Sequence, residues 1–312
     1  MSFTNFPNGI TSMGAPVGPS HYAGWWGKNV WFVDDDNGSD SNSGTDPEHA
    51  LKLIQTAVTK SGPHDTIFLK PREIDLDTHS SHGYYTGTII IPNTKTGLAI
   101  IGTGRGGRGL GVGAQCMIEP DASSTDTTIT VQSPAVSIEN VGVKAVLGGT
   151  GAIYASVSTA QAYGLTVSNC FFKDFIGADV ATGTIHLVTT HWTTIQHCYF
   201  KEAGVAIHHN SAVAAVRNIV IRDCDFVGAA ATWMSDIRVG GVLNMLIDNC
   251  RFAHALPTAG TPNFYIYMTG TSGTGMISNC TFASAASNIV TTMELKGTVL
   301  NSNCTDANAI MT

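Results

Sequence analysis

Charged side chains are scarce in this sequence. Asp, Glu, Lys and Arg make up 12% of its 312 residues, whereas hydrophobic residues make up 43%, and the charged share is about half of what globular proteins usually carry. Ser, Thr, Asn and Gly must therefore cover much of the surface, which suits a protein that docks into a larger assembly. The 16 basic and 23 acidic residues give a net charge of -7 without a basic stripe, which argues against a nucleic acid partner.

Long apolar segments are also missing. No run of about 20 apolar residues could span a bilayer, so we expect no membrane partner. The first residues, Met1 to Ser20, have neither a basic start nor an apolar stretch, and we therefore expect synthesis in a cytoplasm. Seven cysteines occur without a C-x-x-C pair, so the usual spacing of a metal or redox site is lacking.

Six of the cysteines instead mark a repeat, with intervals of 28, 26, 26, 30 and 24 residues. They are Cys170, Cys198, Cys224, Cys250, Cys280 and Cys304. A Phe follows each of the first five by two residues, which places Cys and Phe on one strand face. An Ile or Val precedes each of these five cysteines by three residues. Residues three apart in a straight strand face opposite sides, so the chain must bend in between for both to face inward.

The bend falls on a residue type that accepts positive φ. The residues immediately before the six cysteines are Asn169, His197, Asp223, Asn249, Asn279 and Asn303. Asn and Asp tolerate the left-handed conformation better than other residues with a side chain. Earlier segments repeat the pattern without the cysteine, with Asn140 before Val141 and with Gly102 at an earlier bend.

Further short strand candidates lie between the bends, so each repeat of about 27 residues holds about three strands. Repeats of this kind stack with parallel hydrogen bonding and form a solenoid whose interior contains ladders of like residues. The sequence therefore predicts an all-β parallel β-helix. A propeller would need longer repeats and hairpin turns between antiparallel strands, which the repeat region lacks.

The part ahead of the repeats predicts a strand, a polar turn and a helix. Val30–Val33 is the strand, and the helix is expected from Glu48 to about Lys60, with Asp46 as its N-cap and Pro47 at its first position. Such a helix would cap the open end of the solenoid. We therefore predict a segment of first strand, polar turn and capping helix over 29–75, and the β-helix over 76–312.

Residues 1–28 have no usable periodicity and predict an extended N-terminal arm. Apolar residues on such an arm favour contact with a partner. The expected partner-binding residues are Phe3, Phe6, Pro7, Ile10, Trp25 and Trp26. Alternatively, Trp25 and Trp26 cover the first coil of the solenoid.

Candidate catalytic carboxylates are few. A glycosidase needs two carboxylates about 5 to 10 Å apart across one groove. Asp223 and Asp225 are the nearest candidates, but the repeat places Asp223 at the bend and Asp225 outward beside Cys224. We therefore predict structural roles for both and no catalytic residue.

Three patterns could indicate a ligand or metal. Asp34, Asp35, Asp36 and Asp40 could hold Ca²⁺, but their spacing does not fit an EF-hand and favours a solvated turn. The run from Gly102 to Gly111 contains G-x-G-x-x-G, but no helix follows it, which indicates a loop.

The densest histidine group comprises His186, His191, His197, His208 and His209. His186 and His208 could stack on adjacent coils, and ordinary ladder positions are favoured over metal binding. Stacked cysteines could pair on spacing alone, yet buried free thiols are favoured in a protein made in a cytoplasm. We predict no cofactor and no metal.

Several segments resemble a known group. Thr4–Ser12, Trp31–Asp34 and Gly38–Thr45 are similar to phage-encoded right-handed β-helix proteins with a pectate-lyase-like fold. Ile54–Ala57 and His64–Leu69 are similar to the first coil of that superfamily, except that His64 stands where Gly is usual. The resemblance implies a right-handed parallel β-helix with a short N-terminal capping helix and an extended N-terminal arm.

The same resemblance implies a structural bacteriophage virion protein, a capsid decoration protein or less often a tail appendage, and commonly a homotrimer. The arm would anchor it to the major capsid protein or to other virion proteins. On this interpretation the chain is not an enzyme. The alternative is a tail-borne, tailspike-like depolymerase that binds or cleaves a host surface glycan.

Overall fold

The computed structural model describes most of the repeat region and parts of the N-terminal region. The described residues are 11–12, 15–16, 29–74, 84–104, 113–120, 127–144, 151–156, 163–173, 183–188, 190–201, 205–209, 216–228, 235–254, 264–268, 273–284, 293–294 and 298–306. The arm residues Phe3, Phe6, Pro7, Ile10, Trp25 and Trp26 lie outside the described residues.

Three long parallel sheets form the body of the described chain. The ten strands of sheet 1 are Val30–Val33, Thr66–Leu69, Ala99–Gly102, Ser137–Glu139, Thr166–Ser168, Thr193–Gln196, Ile219–Arg222, Met245–Asp248, Thr274–Ser278 and Thr298–Ser302. The nine strands of sheet 2 are Tyr84–Thr86, Met117–Glu119, Gly142–Lys144, Phe171–Lys173, Tyr199–Lys201, Asp225–Gly228, Arg251–His254, Thr281–Ser284 and Thr305–Asp306. The eight strands of sheet 3 are Ile89–Ile91, Ile129–Val131, Ile153–Ser156, Ile185–Val188, Val205–His209, Ser235–Val239, Phe264–Met268 and Met293–Glu294.

From Thr66–Leu69 onward, the chain passes from sheet 1 to sheet 2 to sheet 3 and then returns to sheet 1 one rung further along. Every strand in these sheets pairs in parallel with the equivalent strand of the neighbouring rung, as Ile219–Arg222 does with Met245–Asp248. The predicted all-β parallel β-helix is therefore confirmed. Three short pairs stand beside the sheets: Thr11–Ser12 with Ala15–Pro16, Arg72–Ile74 with Gly113–Gln115, and Val216–Arg217 with Val242–Leu243.

The bend between sheets 1 and 2 lies where the repeat predicts it. All seven bend residues from the fourth rung of sheet 1 onward have φ between 50° and 57°: Asn140, Asn169, His197, Asp223, Asn249, Asn279 and Asn303. Their side chains also bond along the stack, since Asn249 Nδ2 donates to Asp223 Oδ1 at 2.6 Å and Asn303 Nδ2 to Asn279 Oδ1 at 2.7 Å. The left-handed backbone turns the next strand so that its apolar residues face inward again.

Like residues form continuous columns in the interior. The sheet 1 column is fully buried and comprises Ile67, Ile100, Ile138, Val167, Ile195, Ile221, Ile247 and Ile277. The sheet 2 column holds five phenylalanine rings whose centroids lie 4.7 to 4.9 Å apart, with interplanar angles of 3° to 9°. Stacked rings at this distance contribute about 0.5–1.5 kcal/mol per pair beyond the burial of their surface.

All seven cysteines are free and buried, as the sequence favours. The six repeat cysteines lie in one column, and each thiol donates to the backbone carbonyl oxygen of the residue two positions earlier. The distance is 3.2 Å from Cys198 Sγ to Gln196 O and 3.2 Å from Cys224 Sγ to Arg222 O. Valine fills the equivalent position at Val141 but cannot donate this bond. The weak S–H donor therefore gives a physical reason for cysteine beside the left-handed bend.

Cys116 belongs to the same column, although the spacing does not indicate it. The backbone N–H of Gly142 donates to the Cys116 carbonyl at 2.9 Å, which places Cys116 one rung below Val141. The regular interval fails here because Cys116 is the fourteenth residue after its bend residue, Gly102, whereas Val141 and Cys170 directly follow theirs. A longer connection leaves the register of the stacked strands unchanged.

The predicted helix from Glu48 to Lys60 is wrong in one respect, because it is divided in two. Asp46 caps only a short 3-10 helix, Pro47–His49, and the α-helix is Ile54–Lys60. Leu51 lies between them and is fully buried, with its N–H donating to Phe32 O at 2.9 Å. Pairing with the first strand therefore overrides helical continuity at this point.

The α-helix caps the solenoid as expected. Ile54, Ala57 and Val58 are buried in the core that the first rung completes. The Gln55 side chain pairs with the edge strand of sheet 3, since its Oε1 accepts from Ile90 N at 2.7 Å and its Nε2 donates to Ile90 O at 3.3 Å. The amide group takes the place that a further strand would occupy. No helix among the described residues is long and apolar enough to cross a membrane.

Truncation of one stacked ring tests the interior column. Phe226→Ala removes a ring that stacks on both Phe200 and Phe252, so we expect the free energy of unfolding to fall by about 3–5 kcal/mol. Urea unfolding of wild type and variant measures this difference. Phe226→Leu keeps most of the volume and should lose clearly less. Equal and small losses, under about 1 kcal/mol for both variants, would contradict a tightly packed column.

Candidate functional site

The outer face of sheet 3 carries a column of aromatic and basic side chains. In successive rungs a fully buried isoleucine is followed by a residue that points outward: Tyr154, His186, His208, Arg238 and Tyr267. We call these five residues the aromatic–basic column. Because the strands are in register, each of the five lies directly beside the next.

The side chains of the column contact one another. The ring centroids of Tyr154 and His186 are 5.2 Å apart in an edge-to-face arrangement, and those of His186 and His208 are 5.0 Å apart and stacked. The predicted stacking of His186 on His208 is therefore confirmed. The Arg238 guanidinium carbon lies 5.8 Å from the centre of the Tyr267 ring, within reach of a cation–π interaction.

Several polar atoms of the column have no hydrogen-bond partner among the described residues. They are Nδ1 and Nε2 of His186, Nδ1 of His208 and Nε of Arg238. His186 and His208 are only 7% and 8% exposed, although they point away from the solenoid interior. A buried polar atom without a partner costs about 1–3 kcal/mol, so such a cluster is a place where a ligand's polar groups would bind.

Burial and neighbouring cations keep these imidazoles neutral. Burial lowers the pKa of His186, and burial together with His186 and Arg238 lowers the pKa of His208 to about 4. The ordinary pKa of histidine is 6.5. At neutral pH the column therefore combines neutral imidazole groups, which accept protons, with a fixed guanidinium charge, which binds anions.

His209 differs from its neighbour because it points into the solenoid. It lies in register between Leu187 and Val239, is 1% exposed, and neither ring nitrogen has a partner among the described residues. Burial, followed by the charges of His186 and His191, lowers the pKa of His209 to about 4. This imidazole occupies a position that the adjacent rungs fill with an aliphatic side chain.

The two aspartates weighed as glycosidase residues have structural partners. Asp223 lies at the bend with φ 54° and accepts from Asn249 Nδ2, and Asp225 forms an ion pair with Arg251 at 3.1 Å. Both contacts connect adjacent rungs. The structure thus places Asp223 at the bend and Asp225 on the outer side of sheet 2, away from the aromatic–basic column on sheet 3.

The acidic turn also uses its carboxylates locally. Asp34 is buried, accepts from Asp36 N at 3.1 Å and pairs with Lys70. Asp40 Oδ1 accepts from the backbone N–H groups of Lys52 and Leu53 at 3.2 and 3.0 Å. These carboxylates therefore order the turn ahead of the helix. Most of the glycine-rich run from Gly102 to Gly111 lies outside the described residues.

The sequence carries a signal for the aromatic–basic column outside the Cys and Phe repeat. The third to seventh strands of sheet 3 each contain an isoleucine followed by an aromatic or basic residue, as in Ile153-Tyr154 and Ile237-Arg238. The Cys and Phe repeat marks sheet 2, so it does not align Tyr154, Arg238 and Tyr267 with the histidines. Alignment on the isoleucines would have joined all five.

Comparison with known proteins identifies the architecture. No protein-family model matches the chain, and no curated protein sequence matches it significantly. Among solved structures, a pectin methylesterase from carrot covers 95% of this chain and 85% of its own, with 12% identity and a TM-score of 0.52. A pectin methylesterase from Aspergillus niger covers 91% and 87%, with 14% identity and a TM-score of 0.52. A lacto-N-biosidase from Eubacterium ramulus covers 89% and 67%, with 9% identity and a TM-score of 0.51. At these identities the similarity establishes the fold alone.

One expectation is overturned by this comparison. The sequence interpretation held that the chain is not an enzyme, and that prediction is wrong as an inference from the architecture. The three solved structures named above share the fold over about nine tenths of the chain, and they are enzymes: two pectin methylesterases and a lacto-N-biosidase. The fold therefore gives no ground for excluding catalysis, and the aromatic–basic column becomes the candidate active site.

The depressed histidine pKa values predict loss of stability in acid. Between pH 6.5 and about 4 the unfolded chain binds protons on His208 and His209 that the folded chain does not bind. The free energy of unfolding should therefore fall as the pH drops through this window and stay level between pH 7 and 8. Thermal unfolding of wild type and His209→Leu at pH 7.5 and pH 5 measures this effect.

The leucine variant is the matched control, because it restores the aliphatic ladder between Leu187 and Val239. It should lose less in Tm than wild type between the two pH values. An identical loss in both proteins would show that His209 does not titrate as the structure indicates.

Proposed function

We propose that this protein binds an acidic glycan across the outer face of sheet 3 and cleaves it at the aromatic–basic column. The observation that carries the proposal is the row of Tyr154, His186, His208, Arg238 and Tyr267 on consecutive rungs. Within it, His186, His208 and Arg238 have buried polar atoms without partners among the described residues. An extended chain of sugar rings can contact several rungs at once, since parallel strands are spaced about 4.8 Å apart.

Arg238 supports an acidic rather than a neutral sugar. Its guanidinium group is half-buried, stands over Tyr267, and keeps Nε without a partner among the described residues. A guanidinium group binds a carboxylate through two parallel hydrogen bonds. The carboxylate of a uronic acid residue is the anion that a glycan would present at this position.

His208 is placed to act as a base beside that carboxylate. It is in register with Arg238 and neutral at pH 7, because its pKa is about 4. In a β-elimination the imidazole would take the proton from the carbon next to the carboxylate. A C=C bond then forms, the bond to the glycosidic oxygen breaks with its electron pair on that oxygen, and the imidazolium returns the proton there. Arg238 would stabilise the negative charge that develops on the carboxylate.

We also propose a biological setting from the sequence resemblance, namely a bacteriophage particle. A glycan-cleaving activity suits a tail-borne protein that acts on host surface glycan better than it suits a capsid decoration protein. Attachment to virion proteins through the arm 1–28, homotrimer formation and assembly in a host cytoplasm remain predictions of the sequence. The fold of the described residues is compatible with either location on the particle.

Binding and cleavage assays with polygalacturonate and alginate test the proposal, with dextran as a neutral control. Wild type should bind at least one acidic polymer and release products with the ultraviolet absorbance of the new C=C bond. Arg238→Gln should weaken binding by about tenfold or more, which corresponds to about 1.4 kcal/mol. His208→Gln should retain binding and lose cleavage, because it removes the base and keeps the guanidinium group.

Arg222→Gln is the matched control, because it removes the same charge from the outer side of sheet 1. Its affinity and rate should equal those of wild type, and thermal unfolding verifies that all three variants fold. If wild type binds neither acidic polymer, or if Arg238→Gln behaves like Arg222→Gln, the proposed function is wrong.

A further inference from the structure

A second ladder of positive φ lies at the corner where sheet 3 returns to sheet 1. Seven successive rungs place one residue there with φ between 54° and 71°: His64, Gly97, Ala135, Gly164, Trp192, Asn218 and Asn244. Five of these are small residues or asparagines, which suit the left-handed conformation. His64 is of a type that is enriched at positive φ, whereas a side chain as bulky as that of Trp192 is disfavoured there.

Packing does not explain this tryptophan. Trp192 is 58% exposed, the largest exposed fraction of any large hydrophobic side chain described here apart from Leu300. Its backbone bonds to the next rung, because the N–H of Trp192 donates to Arg217 O at 3.0 Å. A strained backbone that holds an aromatic ring in solvent is typical of a binding surface.

Two further aromatic rings surround Trp192. The centroid of Tyr163 lies 5.7 Å away at an interplanar angle of 89°, and that of His191 lies 5.9 Å away at 61°. His191 is itself fixed, because its Nδ1 accepts from the backbone N–H of Arg217 at 3.1 Å. Edge-to-face contacts with two held rings restrict the orientation of the indole. We call Tyr163, His191 and Trp192 the aromatic corner.

The aromatic corner lies on one of the rungs that form the aromatic–basic column. Trp192 belongs to the same rung as His186 and is the fourth residue after Val188, the last residue of that strand. A glycan on the outer face of sheet 3 would meet the corner where it leaves the sheet.

We propose that the aromatic corner is a second sugar-binding subsite, in which the exposed indole of Trp192 stacks on a pyranose ring of the glycan. This inference rests on the proposed function. It extends the glycan-binding surface from the aromatic–basic column to a second contact at the aromatic corner. One face of a pyranose ring carries C–H groups and is apolar, so it complements the electron-rich face of an indole. The hydroxyl groups at the ring edge stay in water, which suits a ring that is more than half exposed.

The proposal makes opposite predictions for stability and for binding. Trp192→Asn places at this rung the residue found at Asn218 and Asn244, so Tm should be equal to or higher than that of wild type. The same variant should bind the acidic glycan at least about tenfold more weakly, since the stacking contact is lost. Trp192→Phe keeps an aromatic face and should retain affinity within about threefold of wild type.

Titration of polygalacturonate and alginate against wild type, Trp192→Asn, Trp192→Phe and Arg238→Gln measures these differences, with thermal unfolding in parallel. A lower Tm with unchanged affinity in Trp192→Asn would overturn the inference and show a packing role for the indole. Loss of affinity in Arg238→Gln alone would overturn it and leave the proposed function intact. A wild-type protein that binds neither polymer would overturn both.

Discussion

The left-handed bend between sheets 1 and 2 is the constraint on which the rest of the structure depends. From the fourth rung of sheet 1 onward, each rung passes through a residue with φ between 50° and 57°, which reverses the side of the chain that faces inward between two short strands. This reversal lets the isoleucine before the bend and the Cys and Phe after it all face the interior. Asn and Asp meet the requirement at low cost, and their side chains also bond from rung to rung. The interior columns and the register of sheet 3 follow from this repeated turn.

The architecture could be predicted from the sequence because its signals recur once per rung. The spacing of six cysteines, the Phe two residues later and the bend residue before each gave the rungs and the parallel pairing. Single features were harder to predict. The short helix begins at Ile54 and not at Glu48, because Leu51 pairs with the first strand, and only tertiary contact decides that. Cys116 was missed because its rung has a longer connection, which changes the spacing but not the stacking.

The candidate site was predictable only in part, for a physical reason. Inward positions are selected for volume and apolarity, so they repeat visibly, whereas outward positions vary with the ligand that they meet. The stacking of His186 on His208 followed from the repeat, and Arg238 joined them only once the register of sheet 3 was known. The search for paired carboxylates favoured a protein without catalysis, yet neutral imidazoles beside a guanidinium group offer a different chemistry. Trp192 gave no signal in the sequence, because its unusual feature is its backbone conformation.

Unfolding free energies of variants at one bend residue test the central claim most directly. Asn249 is exposed and has φ 50°, so the account predicts that Asn249→Gly is close to wild type and that Asn249→Val is less stable than the glycine variant by roughly 1–3 kcal/mol. Asn249→Ala should lie between them. Equal losses for the glycine and valine variants would show that positive φ at the bend does not govern the stacking of the rungs.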